Sequence, residues 1–369
     1  MNKLRKTIVV SAVNIRKGGT LTILRDCLQY LSTLSKDYRV VAIVHSRELC
    51  DFQGVEYIEM PNIIKGWSRR LWCEYVTMYQ ISQTLSPVYL WLSMHDTTPR
   101  VIAERQAVYC QTSFPFLQWK LRDLSFDYKI VLFALFTRFA YKLNIKQNKY
   151  LIVQAEWLRK GFSKMFGLSE DKFIVAPPRL QVIPDFKKHG ADNDVYTFLY
   201  AATPDCHKNF EIVCKASQLL EKDLGKGKFK VIFTIDGTEN KYSHWLYKRW
   251  GNISSLEFKG LMDRVLLFDY YNRADCLIFP SRVETWGLPI SEFATFEKPM
   301  LLADLPYAHE TAMGSKQSAF FDVQNADQLK EHMKCILLGD KSFLKDVTVQ
   351  KIANPTANSW EKLFAHLLG

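Results

Sequence analysis

Two glutamates, Glu284 and Glu292, stand eight positions apart in the segment FPSRVETWGLPISE, residues 279–292. An apolar run precedes the first glutamate, and Gly287 and Pro289 lead into a helical pattern that carries the second. Pro289 suits the first turn of a helix because the N–H that it lacks would be unpaired there. A carboxylate accepts hydrogen bonds from two neighbouring hydroxyl groups, so this pair predicts binding of the diols of a ribose and of a hexose.

A row of backbone N–H groups and a lysine accompany this pair and suit a diphosphate. The N–H groups of Thr285, Trp286, Gly287 and Leu288 lie at the expected start of the helix, where they can bind an anion. Lys208 stands in the segment DCHKN, directly after an expected strand. Its ammonium can neutralise the charge that accumulates on a leaving diphosphate. The alternative is a solvated lysine, although its position opposes the helix dipole.

Two glycines and a histidine mark further strand ends in the N-terminal half. Gly18 and Gly19 follow an expected strand at 7–13 and open a helix, so either a phosphate approaches the backbone there or the glycines only permit the turn. His95 begins the cluster HDTTP after another strand. Ligands bind at the carboxyl ends of strands in open α/β sheets, which makes the cluster a candidate site, whereas Asp, Thr and Pro also favour plain turns.

Alternating strand and helix patterns position all of these residues. Apolar runs alternate with helical periodicity through both halves of the chain, which predicts an α/β architecture with helices on both faces of parallel sheets. The 369 residues exceed the usual size of one core, so we expect two Rossmann-like, doubly wound domains facing a cleft. We place the first at 1–180, a polar linker at 181–194 and the second at 195–349, with a helix at about 350–369 packing back on the first domain.

The composition limits the partners and the compartment. A formal net charge of +11 without a homeodomain, zinc-finger or RNP-like pattern favours phosphorylated small molecules or an anionic membrane surface over nucleic acid. Eight cysteines without a CxxC pair indicate free thiols in a reducing compartment. No uninterrupted apolar run reaches the roughly 18 residues that span a bilayer, so we expect a cytoplasmic protein.

One aromatic and basic segment bears on the membrane alternative. Residues 116–141 mix Phe, Trp and Tyr with Lys and Arg. Such a helix can lie on a membrane, with its apolar side in the acyl boundary and its cations at the headgroups, and the protein would then be peripheral on the inner face of the cytoplasmic membrane. The same helix can equally be buried between domains with its basic ends solvated. The sequence leaves both alternatives open.

The segment ETWGLPISE, the HKN triplet at 207–209, the early Gly-Gly loop and the two-domain pattern together resemble the group-one, or family 4, retaining GT-B glycosyltransferases. The resemblance covers most of the chain. It implies transfer of a hexosyl unit from a UDP-, GDP- or dTDP-sugar with retention of the anomeric configuration. It also implies that no metal and no other cofactor is required.

The resemblance assigns roles to matching positions. It implies that Glu292 holds the donor ribose, Glu284 the donor sugar and Lys208 the phosphates, and that Gly18-Gly19 approaches the phosphate from the opposite domain. The residues from 201 to 205 depart from the family because no arginine precedes Lys208, so we expect Arg282 to supply the second cation.

A second departure concerns the reacting sugar. Gln111 follows the Tyr109-Cys110 pair where relatives carry a histidine, so His95 is our candidate catalytic residue beside Lys208 and Glu284. We expect a lipid-linked or other glycan acceptor and a role in O-antigen or capsule polysaccharide, and hence lipopolysaccharide, biosynthesis. The alternatives are a non-transferring sugar-nucleotide enzyme such as an epimerase, or a non-catalytic binding protein.

Overall fold

The computed structural model describes residues 5–61, 67–178 and 195–369, and these form two compact units. The first unit comprises the described residues of Met1–Thr112, Phe136–Arg179 and Ile352–Gly369. The second comprises those of Ser113–Leu135 and Leu180–Lys351. The linker expected at 181–194 lies outside the described residues.

Strands and helices alternate through both units. The strands are β1 (Lys6–Ala12), β2 (Tyr38–Val44), β3 (Val55–Glu59), β4 (Val88–Ser93), β5 (Arg105–Cys110), β6 (Tyr150–Val153), β7 (Phe173–Val175), β8 (Tyr196–Tyr200), β9 (Phe229–Phe233), β10 (Leu256–Phe258), β11 (Cys276–Phe279), β12 (Met300–Ala303) and β13 (Ser318–Phe321). The α-helices are α1 (Gly18–Thr33), α2 (Trp67–Trp72), α3 (Met78–Thr84), α4 (Asp123–Lys142), α5 (Glu156–Phe166), α6 (Phe210–Leu224), α7 (Lys241–Trp250), α8 (Arg264–Arg273), α9 (Leu288–Ala294), α10 (Pro306–Thr311), α11 (Ala326–Leu337) and α12 (Trp360–Leu368).

The first unit contains a parallel sheet in the order β3-β2-β1-β4-β5-β6-β7. Strand β1, which lies between β2 and β4, pairs in step with β2 from Lys6 opposite Tyr38 to Ala12 opposite Val44. Nearly every residue of β1 and β4 is buried, as expected of a parallel sheet that is covered on both faces.

Successive residues of β1 enter two different cores. Ile8 and Val10 pack on the side that holds the leucines of α1, whereas Val9 packs on the opposite side with Trp91. Helix α12 completes the first of these cores, where the ring of Phe364 stacks on that of Tyr30 with centroids 5.5 Å apart. The C-terminal helix therefore packs in the first unit although the second unit precedes it in the chain.

The second unit contains a parallel sheet in the order β10-β9-β8-β11-β12-β13. Aromatic side chains fill its centre, where the ring of Tyr200 contacts those of Phe210, Phe233 and Phe279 at centroid distances of 4.4–6.4 Å. Because β8 and β11 are neighbours, the loops that follow them emerge side by side at the carboxyl edge of the sheet.

Residues 113–135 form an excursion of the chain that belongs to the second unit although it lies between strands of the first. The excursion includes the first part of α4, and the remainder of that helix belongs to the first unit. At Asp127 the backbone leaves the helical region, with φ −151° and ψ 91°, so the regular helix runs from 128 to 142.

The predicted α/β architecture with two parallel sheets is confirmed. A π-helical turn at Cys73–Thr77 separates α2 from α3. All eight cysteines are free thiols. Across the three described ranges, no helix is both long enough and apolar enough to cross a bilayer.

Candidate functional site

Lys208 and Glu284 form an ion pair at the carboxyl edge of the second sheet. The loop after β8 carries the lysine and the loop after β11 carries the glutamate. The lysine Nζ lies 2.5 Å from Oε1 of Glu284, and the same oxygen accepts a hydrogen bond of 2.6 Å from the hydroxyl of Ser281. The side chains of Lys208 and Glu284 are 15% and 14% exposed, so solvent reaches both. A cation and a carboxylate thus meet where open α/β sheets bind ligands.

Two buried polar side chains hold these loops in place. Asn209, with φ +60°, donates through its amide to the carbonyls of Pro280 at 3.3 Å and Val323 at 2.9 Å. The hydroxyl of Tyr200 donates to the carbonyl of Lys208 at 2.6 Å. Burial, and then the charge of Glu284, raise the pKa of Tyr200 well above its ordinary value, so the hydroxyl keeps the proton that it donates. Neither support could be predicted from the sequence, because Tyr200 looks like an ordinary strand residue and Asn209 stands out only as part of the HKN triplet.

The backbone from Thr285 to Leu288 follows Glu284 directly and turns sharply at Gly287. Gly287 has φ +95°, and a Cβ there would come within 3.3 Å of Ile290 and 3.5 Å of the ring of Tyr307. The carbonyl of Trp286 accepts a hydrogen bond from the hydroxyl of Thr311. The turn therefore requires glycine for its backbone conformation and for its packing.

Glu292 is buried on α9 and is held by two side chains that the sequence analysis missed. Its Oε1 lies 3.1 Å from a guanidinium nitrogen of Arg264, and its Oε2 accepts a hydrogen bond of 3.3 Å from the hydroxyl of Tyr271. Burial raises the pKa of Glu292, while Arg264 and Tyr271 act in the opposite direction. Each oxygen retains a further lone pair, so the carboxylate can still accept hydrogen bonds from a diol.

Arg282 has protein partners where we expected a phosphate contact. Its guanidinium is only 4% exposed and donates to Asp123 at 2.9 Å, to the carbonyl of Cys206 at 2.9 Å and to that of Gln118 at 3.2 Å. Asp123 lies 159 positions earlier in the chain, so no local pattern could reveal it. The geometry assigns this arginine to holding the loops together.

The candidate residues of the first unit occupy the carboxyl ends of its strands. Gly18 has φ +71°, and Cβ atoms built on Gly18 and Gly19 would meet no atom within 4 Å, so the backbone there is open to a ligand. His95 follows β4, and its side chain is fully buried. Its Nδ1 lies 2.8 Å from a carboxylate oxygen of Glu74 in the π-helical turn, and its Nε2 is buried without a hydrogen-bond partner.

The backbone around His95 is fixed by Asp96, which is partly buried. Asp96 has φ +68° and accepts hydrogen bonds from the backbone N–H groups of Gln111 at 2.5 Å and Thr112 at 3.2 Å. Burial raises the pKa of Asp96 above its ordinary value. The amide of Gln111 donates to the carbonyl of Met94 at 2.8 Å, so Gln111 supports the loop that carries His95.

The structure therefore brings Lys208, Glu284 and Ser281 together in the second unit, with the turn at Gly287 next in the chain. In the first unit it joins His95 to Glu74, a partner that the sequence analysis did not anticipate. No group of three His, Cys, Asp or Glu side chains in the described parts of either unit could hold a metal ion.

Comparisons with known proteins identify what this arrangement resembles. The family model described as "Glycosyl transferases group 1" matches residues 182–347. The O-antigen chain mannosyltransferase RfbU of Salmonella typhimurium is 22% identical over 325 residues, which cover 82% of this chain and 84% of the relative. Among solved structures, the apo form of the lipopolysaccharide outer core galactosyltransferase WaaB matches with a TM-score of 0.64 at 12% identity, covering 91% of both chains.

A further solved structure, Anabaena Alr3699/HepE in complex with UDP and glucose, matches with a TM-score of 0.60 at 14% identity over 92% of both chains. At sequence identities of 12% and 14%, the similarity to these solved structures shows the fold alone. Together with the two parallel sheets, these matches confirm the GT-B fold that the sequence predicts.

Proposed function

Because this chain belongs to the group 1 glycosyltransferases, we propose that it transfers a hexosyl unit from a nucleotide sugar to a glycan acceptor in the biosynthesis of a surface polysaccharide. The observation that carries the proposal is the contact between Lys208 and Glu284 at the carboxyl edge of the second sheet. A sugar diphosphate needs a cation for its diphosphate and a carboxylate for its hydroxyl groups, and this contact supplies both at the same place.

The donor is a nucleotide sugar that lies along the loops after β8 and β11. Glu292 accepts hydrogen bonds from the ribose hydroxyls, and Glu284 accepts them from the hydroxyls of the donor sugar. Lys208 and the N–H groups from Thr285 to Leu288 bind the diphosphate. In the first unit, the open backbone at Gly18-Gly19 remains a candidate for a phosphate contact. UDP is the first candidate because HepE was solved with UDP and glucose, while GDP and dTDP donors are the alternatives. Because RfbU is a mannosyltransferase, mannose is the first donor sugar to test.

The reaction breaks the bond between the anomeric carbon and the diphosphate oxygen. The acceptor hydroxyl attacks from the same face, forms the new glycosidic bond and gives its proton to the leaving diphosphate, so the configuration is retained. Lys208 stabilises the negative charge that this oxygen gains, and such preorganised cations contribute most where charge develops. His95 remains our candidate near the reacting sugar. Because its side chain is fully buried beside Glu74, it acts through the loop after β4 that it supports and not by direct contact with the sugar. No metal ion or other cofactor is required.

The acceptor is a lipid-linked glycan, and the protein works on the inner face of the cytoplasmic membrane. Helix α4 supports this proposal because one of its sides is apolar and open to solvent. Five large apolar residues of α4 and Leu143, which follows its last residue, continue this side at helical spacing and are 40–59% exposed, namely Tyr128, Leu132, Leu135, Phe136, Phe139 and Leu143. The opposite side of the same helix is buried, including Val131, Ala134 and Tyr141.

The charges around this stripe suit an anionic lipid surface. All five charged residues between 128 and 149 are cations, and all are exposed, namely Lys129, Arg138, Lys142, Lys146 and Lys149. Apolar side chains that enter the acyl boundary, flanked by cations at the level of the headgroups, are typical of helices that lie on membranes.

Incubation with a panel of nucleotide sugars, with and without a lipid-linked glycan acceptor, tests the proposal. We expect one donor to release its nucleoside diphosphate in proportion to a longer glycan product, and only when the acceptor is present. Conversion of the donor without an acceptor would identify an epimerase-type enzyme instead. Binding of nucleotides with no turnover of any donor would identify a binding protein.

A further inference from the structure

Arg282 links the two loops that carry Lys208 and Glu284. In sequence it is two positions before Glu284, and its guanidinium donates to the carbonyl of Cys206, which is two positions before Lys208. Its backbone N–H also donates to the carbonyl of His207 at 2.8 Å. One residue thus ties the loop after β11 to the loop after β8, and these loops carry Glu284 and Lys208.

The guanidinium is itself fixed by Asp123, a residue of the excursion. The Asp123 side chain is 1% exposed and lies 2.9 Å from a guanidinium nitrogen of Arg282. The backbone N–H of Lys120 donates to the same carboxylate at 2.8 Å. Residues 118–123 therefore close over Arg282 and remove it from water.

Other residues of the excursion also contact the second unit, and these contacts hold Asp123 in place. Arg122 forms an ion pair with Glu211 of α6, which also accepts a hydrogen bond from the hydroxyl of Tyr242. The ring of Phe126 packs 5.1 Å from that of Trp245 on α7. Arg122, Lys208 and Arg282 are thus each paired with a carboxylate, from Glu211, Glu284 and Asp123 respectively.

We propose that Arg282 and Asp123 are positioning residues that hold Lys208 and Glu284 at the separation the reaction needs. The proposal rests on the proposed role of Lys208 at the leaving diphosphate. A buried ion pair often stabilises a protein no more than a well-packed apolar pair does. We therefore assign to this pair a role in the geometry of the site and not in stability. A cation displaced by about 1 Å from the developing charge loses much of its effect on the rate.

The test uses Arg282→Met, Asp123→Leu and the double variant in the full chain. Each single variant leaves a buried charge unpaired and lowers both the melting temperature and kcat, the latter by about tenfold or more. The double variant regains the melting temperature because both charges are gone, yet kcat stays low and the KM for the donor changes little. Recovery of kcat together with the melting temperature would overturn the proposal and leave a purely structural pair.

A double-mutant cycle with Lys208→Ala tests whether Arg282 acts through Lys208. We expect Arg282→Met to lower kcat less in Lys208→Ala than in the parent, because one of the two groups that it positions is then absent. Additive losses would overturn the proposal. If Lys208→Ala alone had no effect on kcat, the proposed function would fail first, so the two failures are distinguishable.

Two further variants keep the test independent of folding. Arg159→Met in the first unit removes another buried arginine, which is paired with Glu156, and should lower the melting temperature without lowering kcat. Arg282→Lys keeps the charge beside Asp123 but cannot make all three contacts of the guanidinium. It should fold and retain an intermediate kcat, whereas a parental kcat would overturn the proposal.

Discussion

The ammonium of Lys208 lies 2.5 Å from a carboxylate oxygen of Glu284, although 76 positions of sequence separate the two residues. The contact arises because β8 and β11 are neighbours in the sheet, so their loops emerge together. In the free protein the carboxylate holds the lysine in place. We propose that the diphosphate of a bound donor becomes a second anion for the same ammonium.

Replacement of Lys208 should damage turnover more than binding. Lys208→Ala removes a cation that is needed most as the diphosphate leaves, so we expect kcat to fall by about 100-fold or more while the affinity for the donor falls less. Steady-state kinetics with the donor varied will measure both. Lys248→Ala, which removes an exposed lysine of α7, is the control, and equal kcat values for the two variants would refute the role of Lys208.

Binding of the donor should depend on the ionised form of Glu292. Because burial raises the pKa of this carboxyl group, donor affinity should begin to fall at a higher pH than it would for a solvated glutamate. Glu292→Gln should weaken binding about 10- to 100-fold at neutral pH and abolish this pH dependence. Titration calorimetry at several pH values measures the effect. If the donor affinity of the variant still falls in acid as that of the parent does (the acid limb of the pH profile), another group controls binding.

Arg264 should set the pH at which Glu292 ionises. Its positive charge lies 3.1 Å from the carboxylate and lowers the pKa of Glu292 against the effect of burial. Arg264→Ala should therefore move the acid limb of donor affinity to higher pH. Arg273→Ala, which removes an arginine paired with Asp269 at the other end of α8, should leave the limb in place. The same shift in both variants, or in neither, contradicts the assignment.

The sequence predicts the parts of the site that depend on local pattern and on strand order. Glu284, Gly287 and Lys208 follow apolar runs, and alternation of strands and helices places such residues at one edge of a parallel sheet. Arg264 escaped notice because a charged residue near a helix start ordinarily points into solvent. It contacts Glu292 only because α8 and α9 pack beside each other in the folded unit.

The role of Arg282 could not be predicted for a different reason. Its partner Asp123 lies in residues 113–135, which the alternating pattern assigns to the first domain but which belong to the second unit. Hydrophobic periodicity reports which side of an element is buried and not what it is buried against. The same ambiguity affected α4, whose aromatic residues occupy both its buried and its exposed sides.

The exposed stripe of α4 should bind anionic membranes. The parent should float with vesicles that contain phosphatidylglycerol at low salt, and remain at the bottom with phosphatidylcholine alone. Phe136→Ser with Phe139→Ser should reduce flotation by about tenfold, because two large apolar side chains no longer enter the bilayer. Leu338→Ser with Val349→Ser removes exposed apolar residues elsewhere and is the control. Equal flotation of the two double variants would exclude this face of α4.

Stability of the second unit should fall in mild acid because of His207. Burial, and then the charges of Lys208 and Arg282, lower the pKa of this imidazole well below its ordinary value. Between the ordinary pKa and the lowered one, the unfolded chain binds a proton that the folded chain does not, so stability is lost as the pH falls below about 6.5, by up to about 1.4 kcal/mol per pH unit.

Thermal unfolding at about pH 7.5 and about pH 5.5 measures this loss. His207→Gln should reduce the difference between the two melting temperatures, whereas His244→Gln, at an exposed position of α7, should retain it. An undiminished difference in His207→Gln would assign the acid sensitivity to other groups.

The most direct test of the account is stabilisation by a nucleoside diphosphate. At about 100 times its dissociation constant a ligand adds about 2.7 kcal/mol to the stability of the unit that binds it, which corresponds to an increase of about 5 °C or more in melting temperature. We predict that UDP, GDP or dTDP raises the melting temperature of the parent by this amount and that Glu292→Ala loses the increase. If none of the three raises the melting temperature of the parent, the second unit has no nucleotide site at Lys208, Glu284 and Glu292.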